Sequence, residues 1–313
     1  MRQWANPTRK RPGLSTPESA RPASPLMLRQ DPLTGIACIV TAAALYSMYD
    51  ATAKWLVVTY SPVQIVFFRG LFAFIPWTAW VLRHREARHV ARTHQPVLQF
   101  VRGGLGFAAF VCFTLAYRHL PLGTAVAIIY SAPIFMTALS GPLLRERVGA
   151  ARWSLIGLGF VGVLVIARPT PGHLDAGVAW AVAGALIYGL SGIATRHLGH
   201  ANRSTTTMLY SMLVYTVLGA ALLPWTWHTP DTIAMLGFAG VGIVAGTAQF
   251  FLFQAYRHAP VSTVSPFEYT ILGWALVWGL VFWDEVPAAT SVLGMGIIVV
   301  AGALLTRYER RRR

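Results

Sequence analysis

Charge is scarce in this 313-residue chain. Only 12% of its residues are Asp, Glu, Lys or Arg, and the acidic ones number 11 against 26 basic. A water-soluble domain carries about 25% charged residues. A deficit of that size leaves too little polar surface to face water, and 55% of the chain is apolar, so the composition reads as an integral membrane protein. Cysteine is scarce too. Cys38 and Cys112 are the two present, and both lie inside apolar runs, which excludes a disulfide framework and a cysteine-based metal site. A cleavable signal peptide is not expected, because the first apolar run opens only near Leu33, behind a long polar stretch. The net charge of +15 raises nucleic acid as a partner. However, the basic residues sit between apolar runs and at the two ends rather than on one face. They read as topology signals and contacts with anionic lipid head groups, with no nucleic acid expected.

What is present is a unit written twice. Ala116-Tyr117-Arg118-His119 returns 139 residues later as Ala255-Tyr256-Arg257-His258. The same offset pairs Pro121 with Pro260, Tyr130 with Tyr269, Glu146 with Glu285 and Gly157 with Gly296. Upstream, an offset of 142 pairs Gly35 with Gly177, Tyr46 with Tyr188 and Lys54 with Arg196. A repeat of this kind decides architecture before any local reading. The expected organisation is a basic, Pro-rich cytoplasmic tail over 1–32, a first repeat over 33–169, a second over 175–308 and a basic end over 309–313. The tail holds six Lys/Arg and six Pro and is expected to be disordered. Met27, just ahead of the first run, is an alternative start.

Ten apolar runs follow the tail, near 33–54, 61–82, 99–117, 122–143, 153–168, 176–195, 206–226, 233–253, 260–283 and 289–306. Most are long enough to cross a bilayer core of about 30 Å as helices. With the N-terminus in the cytoplasm, cytoplasmic segments hold 22 Lys/Arg against three on the other side, Lys54, Arg118 and Arg168. That bias predicts ten spans with both termini cytoplasmic. Five spans per repeat is an odd number, so the second copy enters the membrane from the opposite side. Inverted repeats build a midplane binding site that two near-equivalent conformations expose in turn.

With these features the chain resembles the drug/metabolite transporter superfamily, EamA type. The resemblance rests on ten spans in two repeats, on the Ala-Tyr-Arg-His-x-Pro element ending the third span of each, and on a glutamate closing the fourth span of each, in Arg145-Glu146-Arg147 and Asp284-Glu285-Val286-Pro287. The stretch Asp50-Ala-Thr-Ala-Lys54-Trp, with Gln64-Ile-Val-Phe-Phe-Arg69, is similar to a subgroup named for S-adenosylmethionine uptake, a name that covers many substrates. The resemblance implies a secondary carrier of small organic metabolites without an ATP-binding module.

An ionisable residue inside a span is costly to insert and marks a candidate site. Glu268 lies in the ninth run, and its repeat partner is Ile129. It either binds a cation, carries a coupling proton, or pairs structurally with an arginine or hydroxyl. Arg69, opposite Ser211 in the repeat, either holds a carboxylate or phosphate bidentately or pairs with Glu268 or Asp50. Paired with Glu268 it makes a zwitterionic cavity suited to an amino-acid-like substrate. Asp50 precedes Lys54 by four residues, and an i, i+4 ion pair is the favoured reading there. Tyr46, Tyr188, Tyr130 and Tyr269 either line both halves of one cavity or pack between helices. Trp274 and Trp278 share a helix face, either as a stacking surface for a ligand or toward lipid. Pro133 and Pro266 interrupt their runs as hinges or as fixed kinks. Glu146 and Glu285 suit capping or gating contacts. Runs 1, 2, 4, 6, 7 and 9 are the candidate lining.

Other signals point away from catalysis. Gly157-Leu-Gly159-Phe-Val-Gly162 matches a dinucleotide fingerprint in letters only, because it lies within an apolar run and lacks the preceding strand. Small residues at that spacing, like Gly242 and Gly246, let membrane helices approach closely. None of the nine histidines falls within the core of a run. Neither the His84, His89, His94 spacing nor the His197, His200 pair makes a metal site. The expectation is therefore an all-α integral membrane protein and a secondary transporter, with no enzymatic activity, cofactor or metal. Its partners are a small-molecule substrate and membrane lipids, with a homodimer left open. The competing readings are an exporter of amino acids or drugs, and a non-transporting scaffold or lipid-modifying enzyme.

Overall fold

The computed structural model describes residues 31–83, 90–144, 149–168, 175–198 and 204–310. Most of the basic tail, His84, His89, Glu146, His200 and the last three arginines lie outside the described residues. Among the described residues the secondary structure is helical throughout: α1 (Pro32–Val57), α2 (Pro62–Arg83), α3 (Pro96–His119), α4 (Leu122–Ile129), α5 (Ala132–Leu144), α6 (Ala150–Ala167), α7 (Ala176–Leu198), α8 (Ser204–Leu222), α9 (Thr232–His258), α10 (Val261–Glu268), α11 (Thr270–Trp283) and α12 (Ala289–Arg310). Each of α1, α2 and α3 begins on a proline, whose missing N–H is one the first turn leaves unpaired anyway. Asp31 caps α1 by accepting from the Leu33 and Thr34 amides at 3.1 and 3.4 Å. Asp231 caps α9 through the Ala234 amide at 2.6 Å.

Nine of the apolar helical stretches in the described residues are long enough to cross a membrane. The remaining run, the fifth, forms α6, whose apolar part, Trp153–Ala167, is shorter. Large apolar side chains such as Val217, Val281, Phe282 and Leu293 stand more than half exposed on the outside, the surface a lipid solvent requires. The protein is a multi-pass membrane protein.

The two runs expected to be interrupted at Pro133 and Pro266 are broken, and the breaks fall at the neighbouring tyrosines. α4 stops at Ile129, Tyr130 and Ser131 leave the helix, and α5 resumes at Ala132 with Pro133 in its first turn. The repeat partner breaks at the partner position, with Tyr269 between α10 and α11. Pro266 lies inside α10, before the break.

The packing treats the repeats as equivalents. α1 lies along α9 as α7 lies along α3; α2 meets α9 as α8 meets α3; α1 meets α11 as α7 meets α5. α2 faces α8, and α6 faces α12. Glycine permits these crossings. A Cβ on Gly242 of α9 would lie 2.9 Å from the Phe68 carbonyl and 3.0 Å from the Ala73 amide of α2, so the two backbones touch only because none is there. Gly162, of the false fingerprint, sits against the Gly294 carbonyl of α12 in the same way, 3.0 Å from where its Cβ would be. Packing, not nucleotide binding, accounts for that glycine.

Candidate functional site

The helix pairs enclose a central cavity of about 240 Å³ between the repeats. Its walls come from α1, α2, α3, the α4–α5 break, α7, α8, α9 and the end of α10. All six runs expected as lining contribute. The third and eighth runs, α3 and α9, contribute as well, because each lies lengthwise against the first helix of the opposite repeat. α6 and α12 pack on each other and stay outside.

One face of α1 organises the site. Tyr46, Asp50 and Lys54 follow at one-turn spacing, and each reaches a different element. The Tyr46 hydroxyl donates to Gln249 Oε1 of α9 at 2.8 Å. Asp50, buried on the cavity wall, accepts from the Tyr117 hydroxyl of α3 at 2.8 Å. Lys54 pairs with Glu285 and also donates to the Leu120 carbonyl at 2.9 Å, with its ammonium 5.4 Å from the centre of the Trp283 ring. The expected Asp50–Lys54 pair does not form. The end of α1 lies against the end of α11, so Glu285 reaches Lys54 while Asp50 turns inward. The cavity's lining along α1 stops at Asp50, one turn before Lys54. The Lys54–Glu285 contact therefore occupies the next layer, where it joins the two repeats. Glu285 Oε2 also accepts from the Leu122 amide at 2.7 Å and so caps the start of α4, satisfying one of its orphan donors.

Arg69 is buried on the cavity wall, 8% exposed. Its guanidinium carbon lies 3.6 Å from the centre of the Phe110 ring, 4.9 Å from Tyr49 and 5.6 Å from Tyr215. It pairs with neither Glu268 nor Asp50: among the described residues the Lys54–Glu285 contact is the ion pair. Its Nε has no hydrogen-bond partner among the described residues. Glu268 lines the cavity and accepts from the Tyr256 hydroxyl of α9. Arg102, counted in the sequence as a topology charge, belongs instead to α3 and the cavity wall, where it donates to the Thr195 and Ser211 hydroxyls.

Of the residues singled out from sequence, the cavity gathers Glu268, Arg69, Asp50, Tyr46, Tyr130, Tyr188 and Pro133. Tyr188 is 44% exposed, into that space. Tyr269 and Pro266 are not on the wall. The Tyr269 ring lies over Gly302 of α12, whereas Val163 stands at the partner position and denies Tyr130 the same berth. Trp274, Trp278 and Phe282 stack along an outer face of α11, away from the cavity. Sequence reasoning missed Tyr49, Tyr117, Tyr215, Arg102, Gln249 and Tyr256. A signal for two of them was present. Tyr117 and Tyr256 are repeat partners in the Ala-Tyr-Arg-His element, and each donates to a carboxylate, Asp50 and Glu268 respectively. Among the described residues no three His, Cys, Asp or Glu side chains gather as a metal ion would need.

The cavity thus lies between two related halves, walled by tyrosines and lined by four charged side chains. The EamA-like transporter family matches the chain twice, over 33–168 and 175–307. This chain is a member of that family. The pseudopaline exporter CntI of Pseudomonas aeruginosa is 27% identical over 281 residues, covering 88% of this chain and 97% of its own. A riboflavin transporter of Rhizobium johnstonii is 28% identical over 290 residues, covering 90% and 93%. An S-adenosylmethionine uptake transporter of Rickettsia felis is 23% identical over 279 residues, covering 89% and 94%. A solved crystal structure superposes with a TM-score of 0.62 at 20% identity over 90% of this chain and 99% of its own, which bears on the fold alone. Both the family and these relatives are transporters, not enzymes.

Proposed function

We propose that this EamA-family member is a secondary transporter of a small organic metabolite, working by alternating access. In this reading it crosses the cytoplasmic (inner) membrane ten times, α6 included. Its repeats, 33–169 and 175–308, are inverted, and both termini are cytoplasmic. The observation that carries the reading is the cavity between the repeats, with a cross-repeat ion pair, Lys54–Glu285, one turn beyond its wall. A carrier must close one side while the other is open, and a contact joining the two halves at one end does that. The exchange of helix contacts between repeats supports a mirror-related state in which the opposite end closes. With the N-terminus inside, the Lys54–Glu285 pair is the outer closure.

Glu268 is the coupling residue in this reading. It is an acid that only one repeat carries, inside a span, held by a tyrosine rather than by a cation. Carriers named for export and for uptake are both among the relatives, and a reversible carrier takes its direction from the gradients. The full chain reconstituted in vesicles tests the reading by counterflow of a metabolite panel: carboxylates, amino acids, adenosyl compounds, vitamins and organic cations. Exchange of at least one compound, stopped by locking the two repeats together, is expected. A vesicle-inserted, folded chain that exchanges none of them contradicts it.

A further inference from the structure

A second cleft, of about 360 Å³, lies apart from the central cavity at one end of the bundle. It forms where the turn between α1 and α2, the end of α3 and the connection between α8 and α9 meet. Lys54 and Glu285 bind the backbone just beyond the end of α3, at Leu120 and Leu122, so this is the outer end in the orientation proposed above. Gln64 of α2, fully buried, sets the shape of the cleft. Its Nε2 donates to the His228 carbonyl at 2.8 Å, and its Oε1 accepts from the His228 amide at 3.2 Å. That two-way clasp pins the α8–α9 connection onto α2 and leaves the His228 side chain exposed on the cleft. The Tyr60 hydroxyl adds a second tie, accepting from the Asp231 amide at 3.5 Å.

Arg118, near the end of α3, is exposed on the same cleft. Among the described residues neither it nor His228 has a side-chain hydrogen bond or ion pair, and those that line the cleft include no acid. Arginine on this side runs against the charge bias of the chain. Lys54, on the same side, is answered by Glu285; Arg118 has no such answer. Its repeat partner, Arg257, donates to Gln254 of its own helix at 3.3 Å. A helix end favours a cation through its dipole, which accounts for an arginine in both copies. It does not account for a free guanidinium and a free imidazole around one acid-free cleft. A planar guanidinium fork with its donors unused matches the oxygens of a phosphate.

The rest of the lining says what carries that phosphate. Thr59 and Ser61 bring hydroxyls to the cleft. Val58 and Trp225 form an apolar rim, 69% and 79% exposed, and tryptophan on a membrane protein settles at head-group depth. Basic groups beside an apolar rim at that depth fit an amphiphile rather than a soluble anion. We infer that the cleft binds an anionic phospholipid of the outer leaflet, its phosphate on Arg118 and His228, its head-group hydroxyls beside Thr59 and Ser61, and its chains along the rim. A zwitterionic head group brings a cation that an acid-free cleft leaves unpaired. Inorganic phosphate and soluble phosphate esters share the charge but make no use of the rim. The cleft joins α1–α3 of one repeat to the α8–α9 connection of the other, so a lipid there touches both. The site stands independently of the transporter reading; only its leaflet follows from the orientation.

The purified full-length chain in detergent micelles, titrated with phosphatidylglycerol and with phosphatidylcholine, tests it. Native mass spectrometry counts the bound lipid, and thermal unfolding reads its effect, since a ligand of the folded chain raises apparent stability by mass action. Phosphatidylglycerol should bind about tenfold more tightly than phosphatidylcholine, the size of one charge-assisted contact. Arg118→Gln should erase that preference and the stabilisation that goes with it, and His228→Gln should weaken both. Arg257→Gln removes an exposed arginine at the other end of the bundle and should change neither, which separates a site from general attraction between a basic protein and an anionic lipid. The wild-type order stands as a test even if a variant fails to fold. Glycerol 3-phosphate and inorganic phosphate separate the sources of the charge. Neither should stabilise the chain at concentrations where phosphatidylglycerol saturates, and equal protection by either would remove the lipid from the inference. Equal binding of the two lipids would overturn it. So would a preference that survives Arg118→Gln, or one that Arg257→Gln lowers as much.

Discussion

At the residue scale the site is two tyrosine–carboxylate pairs placed by one duplicated element. Tyr117 holds Asp50, and Tyr256 holds Glu268. The acids themselves were legible in the sequence, because a charge within an apolar run stands out. Their tyrosine partners were not singled out, since the Ala-Tyr-Arg-His element served as a marker of the repeat. Spacing pointed to Asp50 as the partner of Lys54, and the structure gives Glu285 instead. Which of two acids a lysine meets depends on where α11 ends, and no local pattern carries that. Tyr269 shows the opposite limit. Its repeat position matches Tyr130, yet Gly302 gives its ring a place that Val163 refuses to the other copy. Glu268→Gln should abolish the response of transport to a pH gradient while exchange at equal pH persists. A rate that follows pH as the parent protein does would remove Glu268 from coupling. Tyr256→Phe keeps the ring and loses the donor, so the pH midpoint of transport should move while the maximal rate changes less than in Glu268→Gln.

At the scale of helices, the account turns on the contact between α1 and the end of α11. Lys54 is buried, and Glu285 is bound from both sides, by the ammonium and by the Leu122 amide. Removing one partner of a buried pair leaves the other uncompensated, at about 3–5 kcal/mol. Glu285→Gln should therefore depopulate the conformation described here and lower its thermal stability. The swap Lys54→Glu with Glu285→Lys should recover part of that loss if the pair itself matters. Failure of the swap to recover anything would assign the effect to the cap on α4 instead. Close crossings give an independent check. Gly242→Leu would drive a side chain into the α2 backbone at Phe68 and Ala73, and overpacking of this kind costs about 1–3 kcal/mol or more. Urea or thermal unfolding should show a clear drop, whereas the same change at Gly240, which has open space around it, should not. The apolar runs announced the helices themselves. Pro133 and Pro266 announced that two runs are interrupted, but not that the breaks fall at Tyr130 and Tyr269, because the residues there are as apolar as a continuous span. The share of α3 and α9 in the cavity was hidden too, since composition does not say which helices cross.

At the scale of the whole molecule, the duplicated sequence carried much of the architecture, because the main contacts between the repeats come in matched pairs, α1 with α9 and α7 with α3, α2 with α9 and α8 with α3, α1 with α11 and α7 with α5. The charge bias predicts that reporter fusions at the C-terminus are active only in the cytoplasm, and a periplasmically active fusion would reverse the assignment of Lys54–Glu285 to the outer side. The central claim is that one cavity opens to two sides in turn. The most direct measurement places a single cysteine at Ser211, on the cavity wall, in a chain with Cys38 and Cys112 replaced, and follows its reaction with a membrane-impermeant maleimide added to either side of oriented vesicles. The account predicts reaction from the cytoplasmic side in the parent. Reaction from the outer side should rise when Glu285→Gln releases Lys54, and cytoplasmic labelling should fall in step. Labelling from one side only, unmoved by that release, would contradict it.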